Sequence, residues 1–405
     1  MARWNVAGQL AALLAALETQ DFAQADAAAV RFAAALRRSP EGVQSISAAA
    51  FDKLLCYLSS PVSKRAYQVA ACATSACLVA EGDDESRFAT QICRAAGCAA
   101  ALVRGITSHN AALRLRIMLA LPCVFPAMLH TFSEQEQIRF DTAIAEAPGV
   151  PATVGRLLGG SEEAERSLAT GLLLKMLNAA PPAAAAAAAE VVRQPGALPG
   201  LIAAAGNDMF AMVALNTWQE LIPAGVARED LARGVAEAGA RGALTRVAGA
   251  AERLFSRNPA NDDLFLVMAG GLTALCLHEP AAAAVAANAG VVSAMRGALR
   301  SGTRAAAALR LLLALKGPWR AAPRRVGGDP CGSGGGGGAE GDGGGGSLGD
   351  PRLLAEVVRA AASADLDVCL LAFRLIWDGD DVWSVPLMAP VAVSALRKLN
   401  WELTE

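Results

Sequence analysis

Three histidines, His109, His130 and His278, and nine cysteines are the side chains of this chain best suited to ligate a metal or act as nucleophiles. Such chemistry needs them in sets: a zinc-binding H-E-x-x-H puts two imidazoles on one helix face, and a reactive thiol needs a base or a second thiol beside it. His278-Glu279 begins the zinc motif, but no second histidine follows. His109 in "TSHNAA", His130 after a proline-containing stretch and His278 closing "LTALCLHEP" read as cap or surface residues. Cys72 and Cys77, like Cys93 and Cys98, stand five apart, a spacing that separates two thiols around a helix, and core packing accounts for them. Gly345-Gly346-Ser347-Leu348-Gly349 spells the nucleophile elbow G-x-S-x-G, and the same tract satisfies G-x-G-x-x-G, but neither follows the strand it requires. No lysine follows a glycine, which excludes a Walker A loop. The expectation is a protein that is not an enzyme and uses no cofactor or metal.

Charge offers more. Between Glu279 and Asp329 there is no acid but there are eight bases: Arg296, Arg300, Arg304, Arg310, Lys316, Arg320, Arg324 and Arg325. Arg296 and Arg300 are one helical turn apart and are expected to share a face. Trp319 stands among the bases of "KGPWRAAPRR". Such a set can grip an acidic peptide, a nucleic-acid backbone or an anionic lipid surface. It also fits a solvated helix face paired with the acids of the glycine tract and of "WDGDDVW". In that last stretch Trp377 and Trp383 bracket Asp378, Asp380 and Asp381, which suits either a protein contact or a cap folded onto the last helices.

These residues need a framework, and composition says it is helical. Hydrophobic residues make up 54 % of the 405-residue chain, but so many are Ala that the excess signals helix rather than membrane. A spanning helix needs about 20 apolar residues with few charges. The longest charge-free run, Ile117 to Ser133, carries Pro122 and Pro126, so no membrane span is expected. With 36 bases against 38 acids no global field favours nucleic acid. The odd, scattered cysteines point to reduced thiols in a cytoplasmic or nuclear setting. The acid-free start "MARWNVAGQLAALLAAL" is also similar to an organelle-targeting peptide, although it runs on into what reads as a second helix.

The apolar runs repeat a plan. "AGVVSAMRGALRSGTRAAAALRLLLAL" has a leading Gly290, an apolar helix, a Ser301-Gly302 turn and a longer helix. "PGVPATVGRLLGGSEEAERSLATGLLLKML" leads with Gly149 and turns at Gly159-Gly160, and "AGCAAALVRGITSHNAALRLRIMLAL" leads with Gly97 and turns at Ser108. Gly196 leads a unit turning at Gly206-Asn207, and Gly239 one turning near Gly249. Self-similarity at about 40 to 50 residues marks stacked helix groups, each covering its neighbour's apolar face. "PPAAAAAAAEVV" reads as the short first helix of a group. The residues before Gly97 and after Asp350 add weaker units, and the first 36 residues a cap.

In this order of leading Gly, apolar helix, Ser/Gly turn and long Ala/Leu helix, the chain resembles the armadillo repeat family, with HEAT repeats a near alternative. The resemblance implies an all-α, right-handed α-solenoid of about seven to eight armadillo-like repeats. It further implies a non-catalytic scaffold or adaptor that binds a partner protein or extended peptide on a concave face made by the third helices. Importin-α-like members carry Trp-x-x-x-Asn there. None of Trp4, Trp218, Trp319, Trp377, Trp383 and Trp401 has Asn four residues later, so nuclear-signal binding is not implied. Some exchange factors of Hsp70-type chaperones resemble short armadillo stacks, which supplies a second reading. Nucleic-acid or anionic-surface binding through 296–325 is a third, and nucleic acid is the least favoured partner.

The expected organisation is a repeat array over 1–326, a Gly-rich linker over 327–349 and a C-terminal repeat with cap over 350–405. With 14 glycines the linker cannot offset the entropy of ordering. As a coil it would span on the order of 25 Å, enough to let the last repeat dock. The expected contact residues are Arg296, Arg300, Arg304, Arg310, Trp319, Trp377 and Trp383.

Overall fold

The computed structural model describes residues 5–81, 87–95, 97–321, 351–361, 363 and 365–377. The expected linker at 327–349 and the cap beyond Trp377 lie outside the described residues. Every regular element among them is helical, and none is a strand. No helix among them is long and apolar enough to cross a membrane. The chain divides into two compact units, residues 1–197 with 224–226, and residues 198–223 with 227 onward.

The first unit holds α1 (Val6–Glu18), α2 (Phe22–Arg38), α3 (Ala48–Ser59), α4 (Lys64–Glu81), α5 (Arg87–Arg94), α6 (Cys98–Arg104), α7 (Ala111–Thr131), α8 (Glu134–Ala145), α9 (Val150–Gly159), α10 (Glu163–Leu177) and α11 (Pro181–Val192). The second holds α12 (Ala197–Ala204), α13 (Ala211–Glu220), α14 (Arg228–Ala240), α15 (Ala243–Arg257), α16 (Asp262–Leu275), α17 (Glu279–Ala286), α18 (Ala289–Ala298), α19 (Ala305–Ala321), α20 (Pro351–Ala361) and α21 (Leu366–Trp377). Among the helices from α5 to α19, α7, α10 and α19 are each longer than the two before them. In the first unit α4 packs on α2 and α7, and α7 on α10; in the second α16 packs on α13 and α19, and α19 on α21.

Local chemistry sets the helix ends. Asn5, Asp21, Ser47, Asn261 and Asn288 each accept a hydrogen bond from the backbone N–H three residues on, satisfying a donor that the first turn leaves open. Gly97, Gly149 and Gly242 cap α6, α9 and α15 from the left-handed region, and Gly196, also left-handed, precedes α12. Inside, Leu and Ala dominate. Leu13, Phe32, Phe51, Leu54 and Phe88 are buried in the first unit, with the Phe51 and Phe88 rings 4.2 Å apart. Each such large side chain is worth about 1.5–3 kcal/mol when fully buried. α1 is part of this core, packing on α2 through buried Leu10, Leu13 and Leu17.

The expected glycine leads at 97, 149 and 196 are therefore found, and "PPAAAAAAAEVV" is helix α11. Two leads differ. Gly239 lies within α14, and Gly242 three residues later takes the left-handed conformation; α15 then runs through Gly249, so the turn falls at Asn258–Asn261. Gly290 lies inside α18, which Asn288 starts. An Asn carboxamide can do the work of a left-handed glycine at a helix start, and it does so here.

Candidate protein-interaction surface

Of the arginines expected to form a contact surface, two are turned onto the protein's own acids. Arg300 lies just past the end of α18 and donates from Nε and Nη2 to Oε1 of Glu356 on α20, at 3.0 and 2.7 Å. Glu356 is 4 % exposed and also pairs with Arg359, and these guanidinium contacts hold its carboxyl below the usual carboxylate range. Arg304 pairs with Asp262, donates to the Pro259 carbonyl and lies over the Phe265 ring at 5.6 Å. Asp262 also accepts from the Thr303 hydroxyl at 2.8 Å, and its carboxyl is held low by that bond first and by Arg304 next. Both pairs staple helices within the second unit. Arg296 has an interaction within the chain as well.

Arg310 differs. It is exposed on α19 and makes no ion pair with any described residue. It stands at a groove of about 530 Å³ whose walls are α13, α16 and α19. The apolar part comes from Ile222, Leu266 and Leu277, which are 42, 40 and 57 % exposed. Asn216 and Gln219 from α13, Val267, Gly270, Thr273 and Ala274 from α16 and Ala307 from α19 add to the lining, and no acid occurs among its described residues. Trp383 lies outside the described residues, as do the side chains of Trp319 and Trp377.

A second groove, not foreseen from the sequence, opens in the first unit. It holds about 360 Å³ between α2, α4 and α7, with Leu36, Val79 and Leu119 as apolar walls and Arg37 and Arg116 among its lining. Val79 and Leu119 are large apolar residues left about half exposed. Arg37 makes no ion pair with a described residue, and Arg116 donates only to the Cys72 sulfur, at 3.0 Å. The signal available in the sequence was α4 itself, which has no charged residue between Arg65 and Glu81 and therefore no solvated stripe.

His278 is buried, its ring edge-on to Trp218 at 6.3 Å, and burial followed by the charge of Arg228 lowers its pKa. All described cysteines are free thiols. Burial raises Cys77 and Cys276 and pushes Cys93 up to about 12, which makes them poor nucleophiles. No group of His, Cys, Asp and Glu that could hold a metal occurs among the described residues. Asp141 is a different case. Its buried carboxyl is pushed up to about 6 by desolvation, against the pull of Lys175 at 3.9 Å, and its Oδ1 has no hydrogen-bond partner. It faces α10 from α8 rather than an open pocket.

No protein-family model matches the chain. No curated protein matches it either. Among solved structures it is similar to an engineered protein, a Northeast Structural Genomics Consortium target, with 16 % identity, a TM-score of 0.44, and coverage of 90 % of this chain and 87 % of that one.

Proposed function

We propose that this protein is a non-catalytic scaffold or adaptor of armadillo-like, right-handed solenoid type, with about seven to eight repeats, which binds a partner protein or extended peptide on the face of its third helices. The observation that carries this is a pair of apolar grooves, one walled by α2, α4 and α7 and one by α13, α16 and α19, both edged by arginine without a carboxylate partner among the described residues. An apolar surface rimmed by charge is interface material, and exposed Val79, Leu119, Leu266 and Leu277 cost the free protein solvation that a partner would recover. The recurrent order of helices and the left-handed glycines at 97, 149, 196 and 242 support the repeat reading. Phosphate binding is less well served, because Arg300 and Arg304 already have carboxylates of their own. The free thiols suit a reducing cytoplasmic or nuclear setting.

The test is affinity capture with three forms of the full chain: wild type, Leu119→Arg in the first groove and Leu266→Arg in the second. Both positions are exposed, so the fold should persist, and loss of specific partners from one or both variants is the expected result. An identical partner set for all three forms would remove the third-helix face from the proposal.

A further inference from the structure

We infer that the groove of the second unit receives a segment of a partner protein carrying a carboxylate next to a Leu-, Met- or Phe-type side chain, the carboxylate on Arg310 and the apolar side chain over Gly270. This rests on the interaction reading above and names its ligand chemistry.

The shape comes from one helix stripe. Leu266, Gly270, Thr273 and Leu277 follow one another at intervals of four, three and four residues, one face of α16 and its end, about 16 Å long. The leucines at its two ends are among the most exposed large apolar residues of the unit, and the two residues between them are small. The result is a hollow between two apolar shoulders. At Gly270 the three atoms nearest a Cβ would all belong to the tip of Gln219, with Oε1 2.8 Å away, so the closest cover of the floor is a side chain that can swing aside rather than backbone.

The charge comes from α19. Arg310 is the only charged residue among the described residues of the lining, and no acid occurs between Glu279 and Asp329 to neutralise it locally. A guanidinium presents its donors as a planar fork that fits a carboxylate in two parallel bonds, and it gains most from such a pair beside apolar surface that excludes water. One cation in an apolar groove does not suit a nucleic acid, which is tracked by a row of them.

The probe is a displayed library of random twelve-residue peptides, selected against the full chain and against Arg310→Glu and Gly270→Leu. Arg310 is exposed, and the atoms nearest a Cβ at 270 belong to the flexible Gln219 side chain, so both variants should keep the far-ultraviolet circular dichroism of the wild type. Wild-type selection is expected to enrich Asp or Glu at a fixed offset from Leu, Met or Phe. Selection on Arg310→Glu should place Lys or Arg at that same offset. A synthetic wild-type-selected peptide should bind each variant at least roughly tenfold more weakly. If the acidic preference persists on Arg310→Glu, or the peptide binds Gly270→Leu unchanged, the groove assignment is overturned while an interaction elsewhere on the third helices stands. If no peptide is selected and the capture experiment is also flat, both readings fall. Competition by a single-stranded RNA dodecamer, or a dimer abolished by Gly270→Leu, would give the groove a different occupant and likewise overturn the assignment.

Discussion

Arg300 and Glu356 are 56 residues apart in the chain, yet the guanidinium of one donates twice to a single carboxylate oxygen of the other. The stretch between them contains the glycine tract, so the pair is a point at which α20 is returned to α18. Its partner Arg359 is on α20 itself, three residues on, and adds charge but no tie to another helix.

Replacing Glu356 with Gln should therefore loosen α20 without touching the rest of the unit. Amide hydrogen exchange over 351–361 is expected to accelerate in Glu356→Gln and in Arg300→Ala alike, with little further change in the double variant, because both remove the same tie. In the wild type the carboxyl is held low, so this contribution is present at neutral pH and is lost as pH falls below the ordinary glutamate range. Exchange that is unchanged in either single variant would mean that apolar contacts alone hold α20.

Asp141 works in the opposite sense. Its folded carboxyl is raised to about 6, so between roughly pH 4 and 6 the folded protein holds a proton that the unfolded chain has released. Stability from this group falls as pH rises through that window. Urea unfolding should show Asp141→Asn gaining on the wild type by on the order of 2 kcal/mol between pH 4 and pH 7. A constant difference across that range would show that the wild-type carboxyl is not raised.

Two adjacent glycines of α16 should respond differently to the same added methyl. At Gly271 a Cβ would stand 2.6 Å from the Leu215 carbonyl oxygen and 2.7 Å from its carbon, backbone atoms of α13 that cannot rotate away. Gly271→Ala is expected to cost about 1–3 kcal/mol by overpacking. Gly270→Ala has the flexible Gln219 tip as its nearest neighbour and gains helix propensity of up to about 1 kcal/mol, so it should be neutral or stabilising in chemical denaturation.

A second glycine contrast lies in the first unit. Gly97 has a positive φ but open space around its missing Cβ, whereas a Cβ at Gly159 would run into the Pro195 carbonyl oxygen, with Gly196 packed alongside. Gly159→Ala should lower the thermal midpoint more than Gly97→Ala, which pays only for left-handed backbone, about 1 kcal/mol. Equal losses would show that the close approach of these segments is not limiting.

All-helical structure was readable from the chain because alanine content and apolar spacing act within a few residues. The leads at Gly97, Gly149 and Gly196 were readable for the same reason: left-handed backbone favours glycine strongly enough to mark the position. Gly239 and Gly242 defeated that logic because either could serve and only the packed length of α14 chose between them. At Gly290 a nearby asparagine supplied the cap instead. The basic character of 296–310 was equally plain in the sequence. Which of its arginines are spoken for was not, since Glu356 and Asp262 stand 56 and 42 residues away and reach Arg300 and Arg304 only through the stacking of whole helices. That stacking also left Arg310 beside the hollow over Gly270, because exposure belongs to the neighbours a residue acquires on folding and not to the residue itself.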